Sequence, residues 1–157
     1  MFDLLSFTGL LIGVLLAKLS PEEVKPGKKY FIILKKLVLL SIIITLVYYT
    51  KFLFLSFFIG VLFAYFFNYA YLYLGLSLIV SVISKQFNLL IASFIFIYGL
   101  PYGTLLNKNI LKKTVLYLLL FLAPLLLIIN NLNIIYTNII SSFVVGSIAV
   151  LIIKNDP

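Results

Sequence analysis

The sequence predicts an all-helical bundle of transmembrane helices, and three observations lead to this fold class. Hydrophobic residues make up 64% of the 157 residues and charged residues only 10%, against roughly 45–50% and 25% in a soluble domain. The mean hydropathy is +1.26. Long apolar runs alternate with short segments that contain Lys, Asn, Pro or Gly. A soluble domain leaves about a third of its unfolded surface in water, which so few polar residues could not cover, so we expect one lipid-embedded domain over residues 1–157.

Seven segments are predicted to span the bilayer. About 20 apolar residues, rising about 1.5 Å each, cross a hydrocarbon core of about 30 Å. The segments are Leu4–Leu19, Phe31–Tyr49, Phe52–Phe67, Ala70–Ser84, Leu89–Gly103, Ile110–Ile129 and Ile134–Ile153. The first has Asp3 and no lysine ahead of its apolar stretch, and no A-x-A-like cleavage site follows. We therefore interpret it as a retained helix rather than a signal peptide.

The apolar region Phe52–Ser84 decides the number of passes. As one straight helix it would measure about 50 Å, more than the whole bilayer. Folding back near Asn68 places ten lysines on one side and only Lys51 and Lys85 on the other, whereas a single pass gives seven and five. Because cytoplasmic loops are enriched in lysine, we expect seven passes, with the N-terminus outside and the C-terminus inside. Six passes are the alternative, and lysine counting does not distinguish two spans from a re-entrant hairpin.

Four tyrosines surround the expected turn. Tyr65, Tyr69, Tyr71 and Tyr73 lie within five residues of Asn68. Amphipathic rings prefer the headgroup level to the bilayer centre. The sequence therefore places all four at the cytoplasmic interface.

The absent residue types exclude most enzyme chemistry. The chain contains no Cys, His, Trp or Arg, and its only acids are Asp3, Glu22, Glu23 and Asp156. There is no thiolate, imidazole base or typical zinc ligand set, and no acid lies within an apolar run to carry protons. The adjacent Glu22 and Glu23 invite an acid–base hypothesis, but three lysines follow them closely. We expect no enzyme, metal or cofactor.

The stretch between the first two spans combines a helix start with a cluster of lysines. Ser20-Pro21-Glu22-Glu23 has the form of a helix N-terminus, Pro26-Gly27 is expected to break the chain, and Lys28-Lys29 to open the second helix. Lysines seven residues apart share a helix face. We define the lysine collar as Lys25, Lys28, Lys29, Lys35 and Lys36. Its predicted role is to fix topology and contact anionic headgroups, and with no Arg and no soluble domain, nucleic acid is not an expected partner.

Small residues recur every four positions in three segments, which predicts faces for close helix packing. These faces are expected to pack within the chain, and homodimerisation through the first helix is the alternative. Ile12–Ala17 (IGVLLA) also nearly repeats as Ile59–Ala64 (IGVLFA), a single short match that is only weak support for an internal duplication. The predicted packing residues are Gly9, Gly13, Ala17, Ser56, Gly60, Ala64, Ser142 and Gly146.

Two sites of predicted helix interruption admit a functional interpretation. Gly99, Pro101 and Gly103 are expected to end the fifth span, and Pro124 to kink the sixth. Transporters build ion sites from the carbonyl groups of interrupted helices. Termination and kinking are the simpler interpretation, because Gly and Pro are common in membrane helices.

Together these features predict a non-enzymatic packing, scaffold or assembly component of a cell membrane. The Ile-, Lys- and Asn-rich composition suggests a prokaryotic source, and a second copy or another membrane protein is the companion we consider. The alternative is a small-solute or ion permease that uses the breaks near Gly99–Thr104 and Pro124. A permease should contain a polar cavity that reaches the midplane between the third to sixth helices, whereas a scaffold should be densely packed.

Overall fold

The computed structural model describes residues 5–85, 87–106, 110–124 and 134–154. In this part of the chain the structure is all-helical, with seven helices and no strand, which confirms the predicted helical class. The helices are α1 (Thr8–Leu19), α2 (Pro21–Tyr49), α3 (Phe54–Phe66), α4 (Ala70–Ser84), α5 (Asn88–Thr104), α6 (Ile110–Leu122) and α7 (Ile134–Ile153).

Most boundaries agree with the predicted segments. The bounds of α4 and α7 coincide with the prediction, and those of α3 and α5 differ from it by at most two residues. Phe67–Tyr69 is non-helical, so Phe52–Ser84 contains two helices rather than one, and Asn68 lies in the turn between them. Two parts of the predicted spans lie outside the described residues. They are residues 125–129 of the sixth span and Leu4 of the first span.

The expected break at Pro26-Gly27 is wrong. The second helix begins at Pro21 and continues through Pro26 to Tyr49, a length of 29 residues. Pro26 removes only the N–H that would bond to the carbonyl of Glu22, which lies in the exposed first turn where water can replace that bond. At about 1.5 Å per residue, α2 measures about 43 Å.

Four helices form the centre of the bundle, with α2 and α4 both packing against α5 and α7. Tyr49, at the end of α2, stacks on Phe87, at the start of α5, with ring centroids 4.8 Å apart. The Ser141 hydroxyl near the start of α7 donates to Thr50 Oγ1, just beyond the end of α2 (2.7 Å). α2 is therefore antiparallel to both α5 and α7.

Three outer helices each pack alongside a central helix: α1 on α5, α3 on α7 and α6 on α4. For α3 and α7, the backbone N–H of Lys51 donates to Asn138 Oδ1 at one end (3.1 Å), and Lys154 Nζ donates to the Tyr65 carbonyl at the other (2.8 Å). These two helices are therefore parallel. The contacts of the other outer helices have the same sense, so odd-numbered helices run one way and even-numbered helices the other.

The α1–α5 and α3–α7 contacts use equivalent positions. A Cβ atom at Gly13 would overlap the carbonyl oxygen of Leu100, and one at Gly60 would overlap that of Phe143. The two glycines are 47 positions apart and the two carbonyl residues 43 apart. The spacing of 47 is also that of the two IGVL(L/F)A strings.

The reverse side of each contact obeys the same shifts. A Cβ at Gly103 would overlap the Leu10 carbonyl, and one at Gly146 would overlap the Phe57 carbonyl. Because the same two spacings relate independent contacts, the two helix pairs are built to one pattern.

The central helices α2 and α4 are also equivalent. The residues that α2 buries are Lys35, Val38, Leu39, Ile42, Thr45 and Leu46. The residues 35 positions later are Ala70, Tyr73, Leu74, Ser77, Val80 and Ser81, and all are buried in α4.

One face of α4 has no buried counterpart on α2. It includes Tyr71 and Gly75, whose equivalents Lys36 and Leu40 are half-buried and exposed. α6 covers this face, and a Cβ at Gly75 would lie 2.5 Å from the Phe121 carbonyl oxygen. α6 is therefore an addition to an otherwise two-fold pattern.

Candidate functional site

The predicted packing residues lie at or near the helix contacts just described, with Ala17 half-buried in α1. Ser56 extends the α3 face, since its hydroxyl donates to the Ile139 carbonyl of α7 (2.6 Å). Ser147, which the sequence analysis did not select, donates to the Gly60 carbonyl (3.0 Å).

The face that the sequence offered for homodimerisation is occupied within the chain. Cβ atoms at Gly9 and Gly13 would overlap carbonyl oxygens of α5. In this structure that face of α1 is therefore not available to a second copy.

The fifth span ends in the predicted stretch, because α5 stops at Thr104, one residue beyond the predicted end; a break within the helix at Gly99 or Pro101 is wrong, since α5 continues through both. Gly99 and Gly103 face α1, and a Cβ at Gly99 would lie 2.5 Å from the Leu10 nitrogen. The glycines therefore allow close approach of two helices rather than breaking one.

Pro124 is buried in a short 3-10 turn that directly follows α6. The α-helical part of α6 ends two residues earlier, at Leu122. A kink at Pro124 requires a helix that continues beyond it. The predicted continuation to Ile129 lies outside the described residues, so the kink stays a prediction.

The structure divides the lysine collar. Lys25, Lys28 and Lys29 are exposed and Lys36 is half-buried. Lys35 is only 5% exposed, so it lies inside the bundle, unlike the other lysines of the collar. The reason is that Lys35 lies opposite the last turn of α5, whereas the earlier lysines of α2 extend beyond the end of that helix.

A group of tyrosines lies beside Lys35, whose Nζ is 4.8 Å from the centroid of the Tyr102 ring. We define the tyrosine cluster as Tyr71 of α4, Tyr98 and Tyr102 of α5, and Tyr117 of α6. The Tyr71 ring centroid lies 5.4 Å from those of Tyr102 and Tyr117, and 6.1 Å from that of Tyr98. These separations are those of favourable aromatic pairs.

Two hydroxyl groups in this region are buried without a hydrogen-bond partner among the described residues. They are Tyr71 Oη, on a fully buried residue, and Thr114 Oγ1 on α6. Thr114 precedes Tyr117 by three residues and therefore lies on the same side of α6. A buried hydroxyl without a partner costs about 1–3 kcal/mol, so a bound acceptor would stabilise either group.

The four tyrosines near Asn68 differ in their surroundings within the protein, and their predicted position at the headgroup level stays a prediction. Tyr65 and Tyr69 are exposed, whereas Tyr71 and Tyr73 are fully buried. The reason is that the first turns of α4 are covered by neighbouring helices. The Tyr73 hydroxyl donates to the Phe67 carbonyl (2.5 Å) and so supports the turn from inside.

Sequence reasoning missed the tyrosine cluster because its members come from three helices. Tyr98 and Tyr102 are four residues apart and share a helix face, and Lys35 lies within an apolar run. These two signals together could have suggested a polar site between α2 and α5. The positions of Tyr71 and Tyr117 could not be related to it without the tertiary structure.

The polar groups of this site are the ammonium group of Lys35 and the phenol groups of the tyrosine cluster. Ammonium and phenol groups donate hydrogen bonds, and in the described part of the chain no three His, Cys, Asp or Glu side chains come together to hold a metal ion. Comparison with known protein families, with curated proteins and with solved structures found no match.

Proposed function

We propose that this protein is a seven-pass integral protein of a cell membrane with a structural, non-enzymatic role as a packing or assembly component. The even-numbered helices then run from inside to outside. The α1 helix starts toward the outer side, and α7 ends at the inner side.

The apolar exterior of the bundle is the observation that carries this proposal. On α3 the outward-facing residues Phe54, Leu55 and Phe66 are 72%, 78% and 77% exposed. The opposite face of α3, which consists of small residues, is buried. Soluble monomers rarely expose contiguous apolar patches larger than a few hundred Å². An outer surface of Leu, Ile and Phe is therefore suited to lipid as the solvent.

Helix lengths agree with this proposal in part. α2 and residues Tyr136–Ile153 of α7 are long and apolar enough to cross a membrane, and α1, α3, α4 and α5 are shorter apolar helices. Bilayers accommodate short spans by local thinning and by snorkelling of flanking residues.

Lysine positions support the orientation. The alternating helix directions put Lys51 and Lys85 toward one end of the bundle. The other described lysines, at 18, 25, 28, 29, 35, 36, 112, 113 and 154, lie toward the opposite end. By the positive-inside rule that end is cytoplasmic.

Dense packing favours the structural role over the permease alternative. Glycines bring backbones into contact in the α1–α5, α3–α7 and α4–α6 pairs, and the central helices bury aliphatic residues such as Ile42, Leu78 and Ile95. A cavity of about 260 Å³ lies between α5 and the residues just before α1, and it is lined mainly by apolar residues. The permease hypothesis placed its pathway within α3–α6, and α5 provides no interrupted helix for it.

Thiol labelling tests the topology, because the chain contains no native cysteine. With a membrane-impermeant reagent added outside intact cells, we expect Lys51→Cys to be labelled. Asn68→Cys should react only after the membrane is opened. Labelling of Asn68→Cys from outside would contradict the proposed orientation.

Ser77→Cys distinguishes a structural role from a permease. Ser77 is fully buried near the middle of α4, and its hydroxyl donates to the Leu74 carbonyl of its own helix (2.7 Å). We expect no reaction with small water-soluble reagents from either side. Rapid reaction would reveal a water path through the bundle and favour the permease.

A further inference from the structure

We propose that the inner parts of α2, α4, α5 and α6 together bind the phosphate group of an anionic lipid, with Lys35, Tyr71 and Thr114 as its donors. This inference rests on the proposed membrane location. It goes beyond general contact between exposed lysines and headgroups, because it assigns a defined site and a ligand class.

Lys35 supplies the charge of the proposed site. Ionisable residues inside transmembrane helices are costly, and they usually mark functional sites. The residue is 5% exposed, and its Nζ lies over the Tyr102 face. An ammonium group held in this way, within the bundle but close to the end of α5, can be reached by a headgroup of the inner leaflet.

The two hydroxyl groups without partners indicate what kind of ligand is missing. Tyr71 Oη and Thr114 Oγ1 are both buried, and neither has an acceptor in the part of the chain that the structure describes. Phosphate oxygens accept hydrogen bonds from hydroxyl and ammonium groups alike, and such charge-assisted bonds are roughly twice as strong as neutral ones. Two unpaired hydroxyls and a cation are a donor set suited to a phosphate group.

The route into the site lies between α5 and α6. Tyr117 of α6 meets Tyr102 of α5 through ring contact, with centroids 5.4 Å apart. The close backbone contact at Gly75 holds α6 on α4 instead. Tyr117 is only half-buried and its ring stacks on that of Tyr71, so on this proposal a rotation of the Tyr117 side chain would uncover Tyr71 without moving a helix.

Exposed lysines near this route favour an anion. Lys112 and Lys113 lie just over one turn before Tyr117 on α6, and both are exposed. Lysines near a membrane surface contribute about 1 kcal/mol each to attraction of anionic lipid. Basic pockets between transmembrane helices on the cytoplasmic side are a known type of lipid headgroup site.

Thermal unfolding of the purified full chain in detergent tests the site. The probes are dioctanoyl phosphatidic acid, dioctanoylglycerol (the same acyl chains without phosphate) and inorganic phosphate. We expect phosphatidic acid to raise the unfolding temperature in a saturable way, and dioctanoylglycerol to have little effect. Equal stabilisation by both lipids would overturn the proposal, since the acyl chains alone would then account for binding.

Tyr71→Phe is the decisive variant, because it removes one oxygen atom and keeps the ring contacts. Without lipid it should unfold at the same temperature as the parent or higher, since Tyr71 Oη has no partner to lose among the described residues. Its apparent affinity for phosphatidic acid should fall at least about tenfold, the value of one hydrogen bond to a charged group. Lys35→Gln should weaken binding at least as much.

Matched controls are Tyr136→Phe and Lys51→Gln, which change exposed residues toward the outer end and should bind like the parent. Parent-like binding by Tyr71→Phe and Lys35→Gln would overturn the site. Stabilisation by inorganic phosphate with the same sensitivity to these variants would support the phosphate site and identify free phosphate as its ligand. A chain that stays monodisperse without detergent would instead refute the membrane location, whatever the lipid data show.

Discussion

Individual glycines determine how closely the helices approach. Gly60 and Gly146 of the α3–α7 pair, like Gly13 and Gly103 of the α1–α5 pair, face a carbonyl oxygen of the partner helix. Lipid provides no hydrophobic drive for helix association, so in the proposed membrane setting close backbone contact is a main source of stability. An added methyl group at any of these positions must separate two helices.

We expect Gly60→Ala to lower the free energy of unfolding by about 3 kcal/mol, because its Cβ would overlap the Phe143 carbonyl and force α3 away from α7. Gly27→Ala is the matched control in α2. Its Cβ would meet only the Phe31 side chain, at 3.1 Å, and alanine in a helix interior is favoured over glycine by about 1 kcal/mol. Denaturant unfolding in mixed micelles measures both, and equal effects of the two variants would contradict the packing argument.

Hydrogen bonds between α3 and α7 hold these two helices in position along each other. Serine hydroxyls of one helix donate to carbonyl groups of the other in both directions across α3 and α7: Ser56 to Ile139 and Ser147 to Gly60. The backbone N–H of Leu53 also donates to Ser142 Oγ (2.9 Å), which fixes the start of α3 on α7. These bonds set the register of the two helices. Close packing of small residues alone would define that register less well.

Ser56→Ala should destabilise the protein by about 1 kcal/mol, the usual value of one hydrogen bond between membrane helices. Ser93→Ala in α5 is the control, because the Ser93 hydroxyl is exposed and donates only to the Leu89 carbonyl of its own helix (2.8 Å). That variant should change stability little. If Ser93→Ala were as destabilising as Ser56→Ala, the loss would reflect helix propensity rather than the contact with α7.

The length of α2 has a consequence for the lysines that it carries. At about 43 Å it exceeds a hydrocarbon core of about 30 Å by about nine residues. If Tyr49 lies near the outer boundary of the proposed membrane span, the first turns of α2, with Lys25, Lys28 and Lys29, lie beyond the inner one. Lys35 then lies inside the boundary, at the level where α5 covers it.

At the scale of the whole molecule, one pattern occurs twice. α1, α2 and α5 correspond to α3, α4 and α7 in their contacts and in the positions that they bury. Corresponding helices run in the same direction, so the two-fold relation has its axis along the helices. α6 breaks the pattern, and it brings Tyr117 and Thr114 to the tyrosine cluster. The candidate site therefore lies on the side of the bundle where the symmetry fails.

Cross-linking tests the parallel arrangement on which this pattern depends. Cysteines at Lys51 and Asn138, or at Tyr65 and Lys154, should be joined by a short bifunctional thiol reagent, because each pair is in hydrogen-bond contact at one end of α3 and α7. The mixed pair Lys51 and Lys154 is the control, since the length of α3 separates its members by about 20 Å. Efficient linking of the mixed pair would contradict the parallel packing.

The helical segments and several small-residue faces could be predicted from the sequence because they depend on local patterns. Apolar runs ended by Lys, Asn or Pro located α4 and α7 to the residue, and four-residue spacing located Gly13 and Gly60. The same local reasoning failed at Gly99 and Pro26. A glycine or proline within an apolar run is compatible with a break or with a continuous helix, and its surroundings in the fold decide between them.

By itself, the sequence determined the helical class, the seven segments and the distribution of lysines, since these follow from composition and from periodicity along one chain. Only the tertiary structure decided which helices meet, that Lys35 and Tyr71 are buried, and that four tyrosines from three helices lie together. Such contacts depend on the relative placement of residues distant in sequence. A side chain's burial is a property of the helices packed around it, and no local pattern carries that information.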